Sequence, residues 1–265
     1  MIKNPSIVGF LSFWMLAMVM HFQITMPKVE VSKQDSAVNF SQDFLVLFSL
    51  GQKMLLADVF WVKTLLESDL SHYEAKDLNN WMYLRFNSIK NLDPKFYQNY
   101  LFGGLYLSIV KDDAKAGEAL LLDGVKIYPD DYYLNYQLGY IYAFEYQNFK
   151  KAVPYYAKIR NSPLRAFNFD SFYSKLLNQT IGPEDALRHS IEALKNTPND
   201  TPIYEKLRKN IYTYKALIDL DCLNNQSKID CDKIDFFGNS YLYKYGKYFA
   251  REKLVKVSIS IRQQK

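Results

Sequence analysis

Residues 132–163 read YYLNYQLGYIYAFEYQNFKKAVPYYAKIRNSP. Apolar residues recur in them at helical spacing: Leu134, Leu138, Ile141 and Tyr142 form one stripe, and Tyr133, Tyr136, Tyr140 and Phe144 form another. A helix apolar nearly all round is either buried on every side, or buried on one side and adhesive on the other. Both uses of the tyrosine stripe, internal packing and partner binding, stay open. Ala152 and Tyr156 mark a second helical stretch, which ends by Pro163 because proline cannot continue a helix. Gly139, beside Leu138, permits close approach of a neighbouring helix. This interval predicts two antiparallel helices joined by a turn.

The same signs recur outward. Prolines stand at Pro94, Pro129, Pro163 and Pro198, with gaps of 35, 34 and 35 residues. Ala116 and Leu120 precede one of them and Ala186 and Ala193 another, at offsets suited to helix contacts. Gly103 and Gly104 follow Pro94 as Gly139 follows Pro129. A fixed period of this length signals stacked helix pairs.

These residues resemble the tetratricopeptide repeat, whose pattern runs aromatic, Leu-Gly, aromatic, Ala, aromatic, Ala, Pro over about 34 positions. Residues 132–163 match it best, through Leu138, Gly139, Tyr142, Ala152, Tyr156 and Pro163. Residues 97–129 match through Gly104, Ala116, Leu120 and Pro129, while 164–198 keep Ala186, Ala193 and Pro198 but lack the Leu-Gly pair. The flanks, 42–94 and 199–219, look like divergent or capping repeats. The segments LFSLG (47–51) and LLADVFW (55–61) are similar to bacterial membrane-anchored tetratricopeptide proteins, which implies a scaffold role.

The resemblance implies an all-α fold over residues 42–219, a right-handed α-α solenoid of tetratricopeptide-like helix pairs, preceded by one N-terminal transmembrane helix. It also implies a concave groove, lined by the first helix of each pair, that takes a partner peptide or helix. With each first helix placed three residues after its proline, the groove residues are Tyr133, Tyr136, Tyr140 and Phe144, with Leu101, Leu105 and Phe167 in the corresponding places. Leu101 and Leu105 cannot grip a carboxylate, which disfavours a receptor for chaperone tails.

The N-terminus bears on location. From Ser6 to Met20 the sequence SIVGFLSFWMLAMVM carries no charge, and the run extends to Met26, 21 residues in all. As a helix it covers about 30 Å, the thickness of a hydrocarbon core. Bulky His21-Phe22-Gln23-Ile24 stands where a cleaved signal needs small residues, so an uncleaved anchor at 1–28 is favoured over a cleaved signal or a buried helix. A linker at 29–41 follows. The second apolar stretch, 44–66, contains Gln52, Lys53 and Asp58 and is read as a long soluble helix packed on several sides, with Ser41 as its N-cap.

Charge near the anchor, Lys3 against Lys28 and Lys33, does not fix orientation. Cys222 and Cys231, the only two cysteines, suggest a disulfide in an oxidising compartment; two free thiols are the alternative. The expected location is therefore the inner membrane, single-pass, with the soluble part periplasmic.

Positive evidence for chemistry is sparse. The net charge of +5, from 33 basic and 28 acidic residues, is too mixed for a nucleic-acid footprint. Only 10 glycines occur, and no phosphate-cradling loop is among them. His21, His72 and His189 have no ligand at metal spacing, so no catalytic, metal or cofactor site is expected. In the extension, 220–265, residues 237–254 read as a closing helix broken near Gly246. The tail then alternates Val255, Val257, Ile259 and Ile261 with Lys256, Ser258, Ser260 and Arg262, a strand signature. Its expected use is pairing with another protein's sheet edge, or self-association through 254–262; a helix or a disordered end is the alternative.

The function expected from all this is a membrane-anchored protein-protein interaction scaffold of an envelope complex. An exported solenoid enzyme, a glycan- or peptide-binding protein and a cytoplasm-facing recruiter are the competing classes.

Overall fold

The computed structural model describes residues 13–16, 18, 41–68, 78–226 and 230–259. Of the expected anchor only 13–16 and 18 are among them, and these are helical; the linker at 29–40, His21 and His72 lie outside the described residues. Among the described residues no helix is long and apolar enough to cross a membrane. The chain divides into two units, Met1–Val38 and Asn39–Lys265, and the second holds every element from residue 41 onward.

The protein is mostly helical. Helix α1 (Gln42–Phe48) opens at Ser41, whose hydroxyl accepts from the Phe44 amide at 3.3 Å. Helix α2 (Lys53–Leu66) follows. The single long helix expected over 44–66 is therefore two, because Leu50 and Gly51 both adopt left-handed backbone, with φ of 47° and 86°. Nor is α2 packed on several sides. Ala57 and Thr64 are buried, while Met54, Leu55, Val59, Val62, Leu65 and Leu66 are exposed along the other face.

From there the helices pair in succession. Helix α3 (Trp81–Leu92) packs on α2, and α5 (Ala114–Ile127) on α4 (Tyr97–Leu105). Likewise α7 (Phe149–Ile159) packs on α6 (Tyr132–Tyr140), and α9 (Pro183–Lys195) on α8 (Phe169–Thr180). Helix α10 (Pro202–Asp221) closes on α9 and α8. Pro94, Pro129, Pro163 and Pro198 each follow the second helix of a pair, as the sequence predicts. Side chains of Asn80, Asp113, Asp131, Asn148 and Thr201 cap helix starts, each contributing about 1 kcal/mol.

Both α4 and α6 end in a π-helical turn, Tyr106–Val110 and Ile141–Glu145. Left-handed Asp112 and Gln147 (φ 54° and 52°) then lead into the caps Asp113 and Asn148. This 35-residue equivalence puts Gly117 and Leu121 in the places of Ala152 and Tyr156, one residue beyond the expected Ala116 and Leu120. The packing agrees. A Cβ on Gly104 would lie 2.5 Å from Leu121 Cγ, and one on Gly139 would lie 2.8 Å from the Tyr156 ring.

In the next pair, which lacks Leu-Gly, Gly182 stands at the cap and the equivalent positions are Tyr173 and Ser190, both buried. Bulk has moved from the second helix to the first. Polar contacts repeat with the same period: Asn80 to Asp113, Lys90 to Asp123 and the Tyr128 hydroxyl to the Lys95 carbonyl span 33 residues each, and Tyr97 to Asp131 spans 34.

Past α10, the π turn Cys222–Gln226 carries a disulfide from Cys222 to Cys231. The closing helix expected over 237–254 is instead a hairpin of β1 (Leu242–Lys244) and β2 (Lys247–Phe249). Tyr245 and Gly246, with φ of 52° and 79°, make the tight turn that reverses the chain. The Asn224 side chain holds both the amide and the carbonyl of Tyr248, and the Tyr241 hydroxyl donates to buried Asp219 at 2.7 Å. The tail at 254–259 is not in a strand; it lies on α8 and α10.

Candidate functional site: the face of the first helices

Helices α2, α4, α6 and α8 are the first members of their pairs, and α10 takes the first-helix place after the last pair. The period makes Phe102, Tyr106, Ile109 and Val110 of the α4 segment equivalent to Gln137, Ile141, Phe144 and Glu145 of the α6 segment. In the α8 segment the same places hold Ser171, Lys175, Asn178 and Gln179. One face thus runs through three successive pairs with three different chemistries.

At the α2–α4 end the face is an apolar trough of about 630 Å³, lined chiefly by Trp61, Leu65, Phe102, Leu105, Ile109 and Val110. Trp61 is fixed by ring contacts to Phe86 and Phe96 at 5.8 and 5.6 Å. Phe102 and Ile109 are 53% and 59% exposed. The trough adjoins the exposed apolar face of α2, and Gln98 supplies polar lining. Water against so much contiguous hydrocarbon is unfavourable, by about 25 cal/mol per Å², so the surface gains most from being covered.

In the middle, aromatic packing closes the face. Tyr136 meets the Tyr156 ring at 6.0 Å, Tyr140 meets Phe144 at 4.9 Å, and Phe144 stacks on Phe172 at 5.9 Å. Tyr136, Tyr140 and Phe144 are accordingly half-buried, while Tyr133 is exposed beside Tyr132. Leu101 is buried in the interior, and Leu105 is half-buried in the trough. Phe167 is exposed but lies before α8, because residues 164–168 delay that helix to Phe169. The tyrosine stripe and the trough are therefore different places. Phe102, Ile109, Val110 and Trp61 do not figure in the sequence reading of the groove, although the spacing 102, 106, 109 is itself a helical stripe.

At the α8–α10 end the tail covers the face. Val255 N donates to Thr213 Oγ1 at 3.2 Å and Glu252 N to the Tyr212 hydroxyl at 2.8 Å. Asn178 Nδ2 donates to the Val257 carbonyl at 3.2 Å, and Ile259 N donates to Gln179 Oε1 at 3.1 Å. Around this seat lie Lys175, Lys206 and Lys256. The Lys175 ammonium is shifted down, first by burial and then by repulsion from Lys206 and Lys256.

Among the described residues the titratable groups form no acid-base constellation on this face. Burial pushes the Tyr100 and Tyr214 hydroxyls up to about 12, and it raises Tyr142, Tyr156 and Tyr241 as well, so all five stay neutral near pH 7. His189 is buried edge-on against Tyr173, with Nε2 3.3 Å from Asp170, which also pairs with Arg165. This cluster joins α8 to α9. Among the described residues no group of three His, Cys, Asp or Glu is placed to hold a metal ion. No protein-family model, curated protein or solved structure matches the chain.

Proposed function

We propose that the chain is a membrane-anchored interaction scaffold, a right-handed α-α solenoid of tetratricopeptide-like pairs whose first-helix face binds protein partners of an envelope complex. The observation that carries this reading is the open apolar trough between α2 and α4, with Phe102 and Ile109 more than half exposed beside the exposed face of α2. An apolar trough without converging acid and base groups suits binding better than bond chemistry, and its hydrocarbon lining suits the apolar stripe of a helix or a short peptide. Stacked pairs, close glycine contacts and polar links every 33 or 34 residues support the solenoid. The uncharged run at 6–26 supports the anchor, and the Cys222–Cys231 disulfide supports an exported, periplasmic position.

Phe102→Glu and Ile109→Glu put charge on the trough without disturbing buried side chains. Each is expected to abolish co-purification of the partner with the intact membrane protein while leaving the melting temperature within a few degrees. Unchanged co-purification from both variants would contradict the reading.

A further inference from the structure

Helix α2 has a third face, which neither the core nor the trough uses. Ala57 and Thr64, two helical turns apart, are its fully buried residues and mark the inward side. At about 100° per residue, the line opposite them runs through Leu55, Val59, Val62 and Leu66, which are 60%, 52%, 53% and 82% exposed. Every position on that outward line is aliphatic, over about 17 Å of helix. Trp61, which lines the trough, stands on a different side.

The spacing along the line is four, three and four. That is the d-a-d-a seam of a coiled coil, whose 3.5-residue period keeps one stripe against one partner helix. A helix this short is marginal as a free peptide. Here α2 is already ordered by its packing on α3, so association carries no cost of helix formation.

The flanks of the seam identify the partner. Asp58 and Lys63, both exposed, take g and e positions on opposite sides of the stripe. Against a second copy set parallel and in register, each g residue lies beside the e residue five positions on in the other chain, so Asp58 of either copy meets Lys63 of the other. In an antiparallel pair g faces g and e faces e, which sets Asp58 against Leu65 and Lys63 against Leu56. Only the parallel arrangement pairs both charges. Within its own chain Lys63 reaches Glu67 at 3.7 Å, but Arg85 holds Glu67 more closely, and an ammonium with three donors serves two carboxylates.

We propose that α2 is a self-association surface: two copies of this chain pair through Leu55, Val59, Val62 and Leu66 as a parallel, in-register helix pair clasped by Asp58 and Lys63. The contact is isologous, so it closes at two copies. It uses a different face from the trough and does not depend on the partner reading.

The test uses the full chain expressed in cells and a short bismaleimide, to which the disulfide-bonded Cys222 and Cys231 are inert. In a parallel pair identical residues meet across the axis. Val59→Cys and Val62→Cys are therefore each expected to give a covalent dimer alone, whereas Met54→Cys, exposed but off the seam, is not. Adding Asp58→Lys or Lys63→Asp to Val62→Cys is expected to cut the dimer at least about fivefold. Co-expressing those two variants is expected to restore it, because opposite charges then face each other. All these positions are exposed, so each variant is expected to melt within a few degrees of the parent chain. No dimer from Val59→Cys or Val62→Cys alone overturns the proposal, and a dimer only when the two are co-expressed does so by showing antiparallel packing. Loss of the dimer on charge reversal without restoration also overturns it. So do adducts to other proteins only, which would make a partner helix the occupant, and Val62→Cys shielded from a charged maleimide without any dimer, which would make it lipid. Phe102→Glu is expected to leave the Val62→Cys dimer unchanged, so failure here and failure of the trough reading are told apart.

Discussion

At α2 and α4 the first helices present Trp61, Phe102 and Ile109 in an open trough, whereas at α8 and α10 the same face presents Lys175, Asn178 and Gln179 to the chain's own tail. The backbone periodicity is shared, so the contrast comes from side chains alone. Hydrocarbon at one end offers area without direction; amides and hydroxyls at the other offer direction and bond an extended backbone. One face of the first helices therefore offers two chemically distinct surfaces, one of which is covered by the chain itself.

The sharpest break in this comparison sets an aromatic inside α3 against one on the trough. Phe86→Ala removes a fully buried ring that touches Trp61 and is expected to destabilise by about 3–5 kcal/mol in urea unfolding, whereas Phe102→Ala is expected to stay within about 0.5 kcal/mol. A large loss from Phe102→Ala would make the trough a structural core.

Next in size is the disulfide. Cys222→Ser with Cys231→Ser releases a short loop worth roughly 2–3 kcal/mol, and limited proteolysis is expected to cut the hairpin region before the helix pairs. Cleavage starting in α3 or α5 would show that the extension is not the separable part. Gly117→Ala tests the close pair packing. Its Cβ would sit 2.7 Å from the Gly104 carbonyl oxygen, a backbone atom, so a loss of about 1–3 kcal/mol is expected in the same urea assay.

The smallest effect is in pH. Asp123 is partly buried, which disfavours its charge, but bonds from Lys126 and Lys90 overcome this and hold its carboxyl below the ordinary 3.8. A depressed acid stabilises the fold above its unfolded value. Stability should therefore be full above about pH 4 and fall as pH drops below it, and Asp123→Asn should flatten that part of the profile.

These contrasts also mark what the sequence discloses. The pairing was legible because Pro94, Pro129, Pro163 and Pro198 each end a second helix, and the cap at Ser41 was legible from residue type. The one-residue displacement from Ala116 and Leu120 to Gly117 and Leu121 was not, since small and apolar residues fill both registers and only the π turn and the left-handed Asp112 decide between them. An all-round apolar pattern does not state which side is covered, so the pattern overstates the packing of α2 and groups the α6 tyrosines with Leu101 and Leu105, of which only Leu105 lines the trough. The tail's alternation was visible, but its seat depends on Asn178 and Gln179, some 80 positions earlier. No local pattern carries that information.

What covers the two ends of the first-helix face can be read directly. A photo-crosslinking amino acid is placed in the full chain, expressed in cells, in turn at Phe102, at Gln179 and at Ile191 on the second helix α9. Expected are adducts to another protein from Phe102, an internal adduct to the chain's own tail from Gln179, and neither from Ile191. Adducts to the same proteins from Phe102 and Ile191 alike, or none from Phe102, would contradict that expectation.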